Sequence, residues 1–371
     1  MQVLAAPNAF KGSLSARAAA RALARGARGV GVRVVQCPLA DGGDGTLDVL
    51  RDPLGLTLRR TRVLDPLGRP LLAAWGYNPN SRQAVVEMAR ASGLALLSPQ
   101  EHDPMKTTSF GTGQLIAAAL RAGARNIWVG LGGSATVDGG LGILQALGAL
   151  VWVRAAGRVV PLDRPATGAD LISLCEVGVA KTRGVRLRVL CDVLNPLLGS
   201  RGAARAFGPQ KGASPSGIRR LEGGLKILQR LARAQGRPVS PLVGAGAAGG
   251  AAAGLFGFAG APCVSGVGAI FRLLGLEEKV KQADLVLTGE GRVDRTSWEG
   301  KALGELARLC GRWGKPLFVL AGETGPGYRR RGAPVFLIGS AGMGKEEKIR
   351  RAASLVQGTA DRILKKWRGE E

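Results

Sequence analysis

The run Gln2-Val3-Leu4-Ala5-Ala6 passes through Pro7-Asn8-Ala9-Phe10-Lys11-Gly12-Ser13-Leu14 into the Ala/Arg/Leu-rich segment 15–28. A short apolar run, a loop holding a glycine, and a proline-free segment opened by serine predict strand, turn and helix, with Ser13 or Ser15 as the helix cap. The pattern recurs along the chain. Apolar runs at 32–37, 126–131, 186–191, 285–288, 317–321 and 335–338 read as buried strands. Segments 113–122, 140–150, 218–234, 300–313 and 346–366 read as helices. Strands alternating with helices predict an α/β fold with parallel sheet. Residues 54–77 break the pattern, because Asp65-Pro66 and Gly68 interrupt short strand-like pieces, so they read as an antiparallel excursion.

The chain has 371 residues, too many for one ordinary core. Boundaries near 60 and 280 give two domains. Residues 1–60 and 280–371 are expected to form a discontinuous, Rossmann/flavodoxin-like parallel-sheet domain, with 61–279 inserted as a second α/β domain.

Charged residues make up 21% and hydrophobic residues 46%, as in globular chains. The net charge is +25, which draws anions towards the surface. The basic residues are scattered, aromatics are only 4%, and no helix-turn-helix, zinc-finger or RRM signature occurs, so specific nucleic-acid binding is not expected. The five cysteines form no C-x-x-C pair and are odd in number, which fits a reducing, cytoplasmic setting rather than a disulfide framework. His102 is the one histidine, so a His-rich zinc site is excluded and a Ser-His-Asp triad would need that single residue. No signal-peptide pattern is evident. The uncharged tract 239–271 is mostly Ala and Gly and contains Pro241 and Pro262, so no membrane span is expected there.

Four apolar runs end in loops rich in acids and glycines: Asp41-Gly42-Gly43-Asp44-Gly45-Thr46, Gly132-Gly133-Ser134-Ala135-Thr136-Val137-Asp138-Gly139-Gly140, Asp192-Val193-Leu194-Asn195-Pro196, and Gly289-Glu290-Gly291-Arg292-Val293-Asp294. Ligands of open parallel sheets bind beyond the carboxyl ends of the strands. Glycine there lets backbone N–H groups approach phosphate oxygens, and carboxylates can hold Mg²⁺. Any one such loop is also an ordinary Asp-Gly turn. Four together point to a shared metal–phosphate site. Lys11, between a strand and a helix start, reads as a cationic partner or a solvated loop lysine. Lys211 and Lys301, also beside glycines, read as surface residues. There is no Walker A pattern and no G-x-S-x-G elbow. Gly244-Ala245-Gly246-Ala247-Ala248-Gly249 fits G-x-G-x-x-G but lies in an Ala/Gly tract, where close packing explains it as well.

The ordered set of motifs resembles the glycerate kinase family over nearly the whole chain. The resemblance rests on residues 6–15, residues 38–46, Val86-Glu87-Met88-Ala89 with Ala91-Ser92-Gly93-Leu94, and Thr108-Ser109-Phe110-Gly111-Thr112-Gly113. It continues through Gly132–Thr136 with Asp138-Gly139-Gly140, residues 191–197, Phe207-Gly208-Pro209-Gln210-Lys211-Gly212, and residues 288–292 with Asp294. Four positions in three motifs depart from the family pattern: Asn8 stands for Asp, Val137 for Asn, and Thr296-Ser297 for Gln-Thr.

The resemblance implies ATP, Mg²⁺ and glycerate, two α/β domains, and a site in an interdomain cleft. By that resemblance Asp192 is the base or hydroxyl-orienting carboxylate, and Lys11 neutralises the transferred phosphate or the substrate carboxylate. Asp41, Glu290 and Asp294 are metal candidates. Ser13, Gly42, Gly43, Thr46, Gly132, Gly133, Ser134, Asn195 and Arg292 are candidates for binding substrate and phosphate. The expected product is 2-phosphoglycerate. The alternatives are 3-phosphorylation or a non-catalytic metabolite sensor.

Overall fold

The structure is a computed structural model that describes residues 1–182, 184–328, 333–340 and 342–369; residues 329–332, 341, 370 and 371 of the expected 280–371 segment lie outside these. The chain is α/β and divides into two compact units. The first comprises 1–41, 48–53 and 267–371; the second comprises 42–47 and 54–266. Residues 54–60 group with the second unit because the hairpin strand Thr57–Leu64 begins there.

The first unit holds a five-stranded, wholly parallel sheet. Across it run Val335–Leu337, Leu317–Thr324, Leu285–Val293, Gln2–Ala5 and Arg33–Gln36. Numbered by chain order within the unit, this is the 2-1-3-4-5 order of flavodoxin-like sheets rather than the Rossmann order. Helix Ala16–Arg28 packs against Ala352–Arg368 over Val3, Ala5, Leu285 and Leu287. Leu4 and Val286, which alternate to the opposite face, are equally buried, so both faces are covered. Ser15 caps the first helix, its Oγ accepting the Ala18 N–H at 3.2 Å.

Two expectations change here. The strand expected to end at 288 runs on to Val293, in parallel with Leu317–Thr324, with Val286–Glu290, Arg292 and Val293 in register. Gly289 and Gly291 read as turn residues in sequence, yet they let the two backbones continue side by side. The single helix expected over 346–366 is two, Lys345–Arg350 and Ala352–Arg368, separated at Arg351.

The second unit holds a six-stranded mixed sheet. Cys263–Val264, Arg186–Leu190, Asn126–Gly130 and Gln83–Glu87 are mutually parallel, and Pro70–Asn78 and Thr57–Leu64 add an antiparallel hairpin at one edge. The hairpin is the expected excursion, turned at Asp65, whose Oδ1 accepts the Leu67 and Arg69 N–H groups. A separate three-stranded antiparallel sheet, Val151–Ala155, Arg158–Pro161 and Leu174–Val177, was not expected. The helix expected over 140–150 is shorter, Leu141–Ala146, because Gly148 turns the chain with φ +83° into the first of those strands. The Ala/Gly tract supplies the helix Ala247–Ala259. Among the described residues no helix is long and apolar enough to cross a membrane.

Candidate active site

In the first unit, the segment after Gln2–Ala5 stays beside the neighbouring strand: the Ala6 N–H donates to Leu287 O and the Asn8 N–H to Gly289 O, both at 2.8 Å. The segment after Arg33–Gln36 follows on the other side, its Leu39 N–H donating to Pro7 O at 2.8 Å. Here the strand order reverses, the place where open sheets bind ligands. A cavity of about 610 Å³ opens there, lined by Asn8, Lys11, Ser13, Asp41, Glu290, Arg292, Asp294 and Lys301, with Lys345 and Lys348 on the side of the C-terminal helices. Its volume is ordinary for a small-ligand site. The structure thus brings Lys11, Ser13, Asp41, Glu290, Arg292 and Asp294 to one cavity. Lys11 and Lys301 are exposed.

Glu290 is the unusual member. Its Oε1 is buried and has no hydrogen-bond partner among the described residues. Burial pushes its carboxyl above the usual range, Ser297 and Lys301 oppose that rise, and Asp294 and Asp41 add to it. An uncompensated buried carboxylate oxygen is costly, and a cation would relieve it. Asp294 behaves differently. Its Oδ1 accepts from Thr296 N at 2.8 Å, Thr296 Oγ1 at 2.7 Å and Ser297 N at 3.2 Å, capping the short turn Arg295–Trp298. Those donors, the Thr296 hydroxyl first, hold its carboxyl below the usual range. Thr296 also accepts from Lys301 Nζ at 2.8 Å. Arg292 lies 3.8 Å from Glu323 across the strands. Among the described residues no three His, Cys, Asp or Glu side chains lie close enough to cage a metal. Mg²⁺ does not require a cage, since it usually takes one or two carboxylates with phosphates and water. Asp41 and the orphaned Glu290 fit that mode.

In the second unit, Gly42 and Gly43 lie against the strand end and loop at 130–132. The Gly132 N–H points to Gly42 O at 3.4 Å, and a Cβ on Gly132 would collide with Gly43 Cα. Thr46 Oγ1 donates to Gly43 O at 2.7 Å. Leu94 N–H donates to Gly133 O at 2.8 Å and Ala135 N–H to Ser92 O at 2.9 Å, which tie the 132–135 loop to the segment after Gln83–Glu87. Asp192 follows the strand Arg186–Leu190 and accepts from Ser265 Oγ at 3.2 Å. Asn195 is used structurally: its Nδ2 donates to Arg201 O at 2.7 Å, and its carbonyl accepts from Gly246 N at 3.0 Å. The Ala/Gly tract has a packing explanation. Ala248, Gly249 and Gly250 are all left-handed, and a Cβ on Gly249 would strike Thr136 O.

The burial of Lys211, Asp138 and Glu87 was not read from the sequence. Lys211, expected at the surface, is 2% exposed. Its Nζ donates to Ser134 Oγ at 2.8 Å and Thr136 O at 2.7 Å. The faint signal was that Lys211 is the sole charged residue in 206–218. Asp138 is fully buried, accepting from Ser109 N at 2.8 Å, Ser109 Oγ at 2.6 Å and Gly140 N at 3.0 Å. Glu87 is buried, pairs with Arg90 and accepts Leu47 N–H at 2.7 Å. Of the departures from the family pattern, Asn8 folds its Oδ1 back onto Ala9 N at 2.8 Å, and Val137 is fully buried in the apolar core.

A sequence profile described as "Glycerate kinase family" matches residues 3–368. The chain belongs to that family. It is 40% identical to the glycerate 2-kinase of Escherichia coli K12, covering 87% of this chain and 85% of that one. It is 37% identical to the glycerate kinase of Bacillus subtilis 168, covering 97% and 96%. A crystal structure from Salmonella typhimurium LT2, described as a candidate glycerate kinase 2, superposes with a TM-score of 0.86 at 37% identity, covering 100% of this chain and 99% of that one.

Proposed function

We propose that this chain transfers the γ-phosphoryl group of ATP to the 2-hydroxyl of D-glycerate, giving 2-phosphoglycerate and ADP in the reducing cytoplasm. The observation that carries the reading is the switch-point cavity, where Lys11, Lys301 and Arg292 stand with Asp41 and the unpartnered Glu290 oxygen. Such a set suits a polyanion with a divalent cation rather than an apolar ligand. The 2-hydroxyl is preferred over the 3-hydroxyl because the Escherichia coli relative is a named 2-kinase.

Phosphoryl transfer depends mainly on placement and on neutralising charge. Asp192, oriented by Ser265, takes or orients the hydroxyl proton. Lys11 neutralises the transferred phosphate or the glycerate carboxylate. Asp41 and Glu290 would hold Mg²⁺, with Asp294 as a further carboxylate of the same cavity that also caps the turn Arg295–Trp298. The ion supplies charge neutralisation at the phosphates. Gly42, Gly43, Gly132 and Gly133 offer backbone donors to anionic oxygens, with Ser134 adding a hydroxyl; Ser13, Thr46, Asn195 and Arg292 complete the binding set.

Purified protein is expected to release ADP from ATP only when D-glycerate is present, measured by a coupled ADP assay. Lys11→Ala, on an exposed loop position, should fold normally yet lose about ten-fold in kcat or more and raise KM for an anionic ligand by about ten-fold. ADP release that ignores glycerate, or wild-type constants in Lys11→Ala, contradicts this assignment.

A further inference from the structure

Lys211 is the last residue of the turn Pro209–Lys211 and lies under the 132–140 loop. An ammonium only donates hydrogen bonds, whereas a hydroxyl has one proton and two lone pairs. Ser134 Oγ therefore accepts from Lys211, and its own proton must leave in another direction. Among the described residues, Lys211 is the hydrogen-bond partner of that hydroxyl. The Ser134 side chain stands in the loop whose Gly132 and Gly133 are proposed to meet an anionic ligand.

Burying an ammonium carries a desolvation penalty that an apolar side chain of similar length would avoid. Two hydrogen bonds to a loop are a small return unless the charge itself is used. The charge that acts on Lys211 is Asp138, from the same loop, while His102 presses its backbone and Cβ against the adjoining Gly212. Asp138 is satisfied by Ser109, Gly140 and Gly142, so it balances Lys211 without a direct ion pair.

We propose that Lys211 is a positioning residue that sets the direction of the Ser134 hydroxyl, turning its proton towards an oxyanion of the bound ligand, either a phosphate or a carboxylate oxygen. Protonated Lys211 donates to Ser134 Oγ, and the hydroxyl donates outward. Neutral Lys211 accepts the Ser134 proton, and the outward donor is withdrawn. The proposal rests on the reading of the 132–134 loop as an anion-binding loop. Burial pulls the Lys211 ammonium down to about 7, against the upward influence of Asp138, so both states are reachable near neutrality. The ligand binds the protonated form, so affinity falls as pH rises through that value and binding above it takes up a proton.

Isothermal titration calorimetry in buffers of different ionisation enthalpy reads that proton directly. Three probes are titrated separately into the whole protein between pH 6.5 and 8.5: ATP with Mg²⁺, D-glycerate, and inorganic phosphate. Wild type is expected to lose roughly ten-fold in affinity per pH unit above the Lys211 value, for at least one probe, and to take up most of one proton at pH 8 beyond the uptake by Lys211→Met. The probe that shows it tells phosphate from carboxylate. Lys211→Met should bind roughly ten-fold more weakly at pH 6.5, with a flattened pH dependence. Should Lys211→Met fail to fold, Ser134→Ala retains the lysine and is expected to lose the same pH dependence. Absence of excess proton uptake for all three probes, absence of binding at pH 6.5, or a wild-type pH profile in Ser134→Ala overturns the proposal. Because the readout is binding, its failure is separable from a failure to phosphorylate glycerate.

Discussion

Asp192→Asn should lower kcat by about 10²-fold or more while leaving the fold and the ATP KM near wild type. The substitution is nearly isosteric, and the side chain is only partly buried at the end of the strand Arg186–Leu190, so the core is untouched. An amide oxygen can still accept from Ser265 Oγ, the contact seen at 3.2 Å, so the side chain keeps its orientation. What disappears is the negative charge that accepts or attracts the hydroxyl proton as the bond to phosphorus forms. A base contributes about 10²–10⁴-fold in such reactions, and the effect should fall on kcat rather than on ATP binding. Steady-state kinetics beside a thermal melt separates this from misfolding. Turnover within about three-fold of wild type in a folded variant assigns the base elsewhere.

Removing the divalent cation should have the larger effect. In excess chelator, turnover is expected to fall by about 10³-fold or more and to return when Mg²⁺ is added beyond the chelator. The reason lies in the first unit, where Glu290 Oε1 is buried without a partner among the described residues, in the cavity that Asp41 also lines. With an ion bound, that oxygen gains its partner and the triphosphate charge is offset. Glu290→Gln, which removes one charge and keeps the shape, should raise the Mg²⁺ concentration needed for half-maximal rate by about ten-fold or more. Activity that survives chelation, or a Glu290→Gln variant with the wild-type Mg²⁺ requirement, rules out this metal assignment.

The elements that sequence made legible are those with strong local periodicity. The strand at 2–5 and the capped helix at 16–28 follow from an apolar run and an Ala/Arg/Leu pattern that needs no tertiary help. The loops that line the cavity were legible because acids and glycines there follow apolar runs. The extension of the strand to Val293 was not, because Gly289 and Gly291 are turn residues by local preference and only pairing with Leu317–Thr324 makes them extended. The sheet of 151–177 was hidden by short strands whose partners lie beyond any local window. Lys211 was misplaced for a related reason: lysine is seldom buried, and only the fold shows that Ser134 and Thr136 come to meet it. Asp294 was recognised as an acid of the site, but its capping work comes from Thr296 and Ser297, read in sequence only as departures from a family pattern.

The most direct measurement is the phosphorus NMR spectrum of the product formed from ATP, Mg²⁺ and D-glycerate by the purified protein. The account predicts stoichiometric ADP and a single new resonance from a phosphate ester on the secondary carbon, 2-phosphoglycerate. A resonance from 3-phosphoglycerate alone contradicts the assigned hydroxyl, and folded, Mg²⁺-supplied protein that forms no phosphorylated glycerate contradicts the kinase itself.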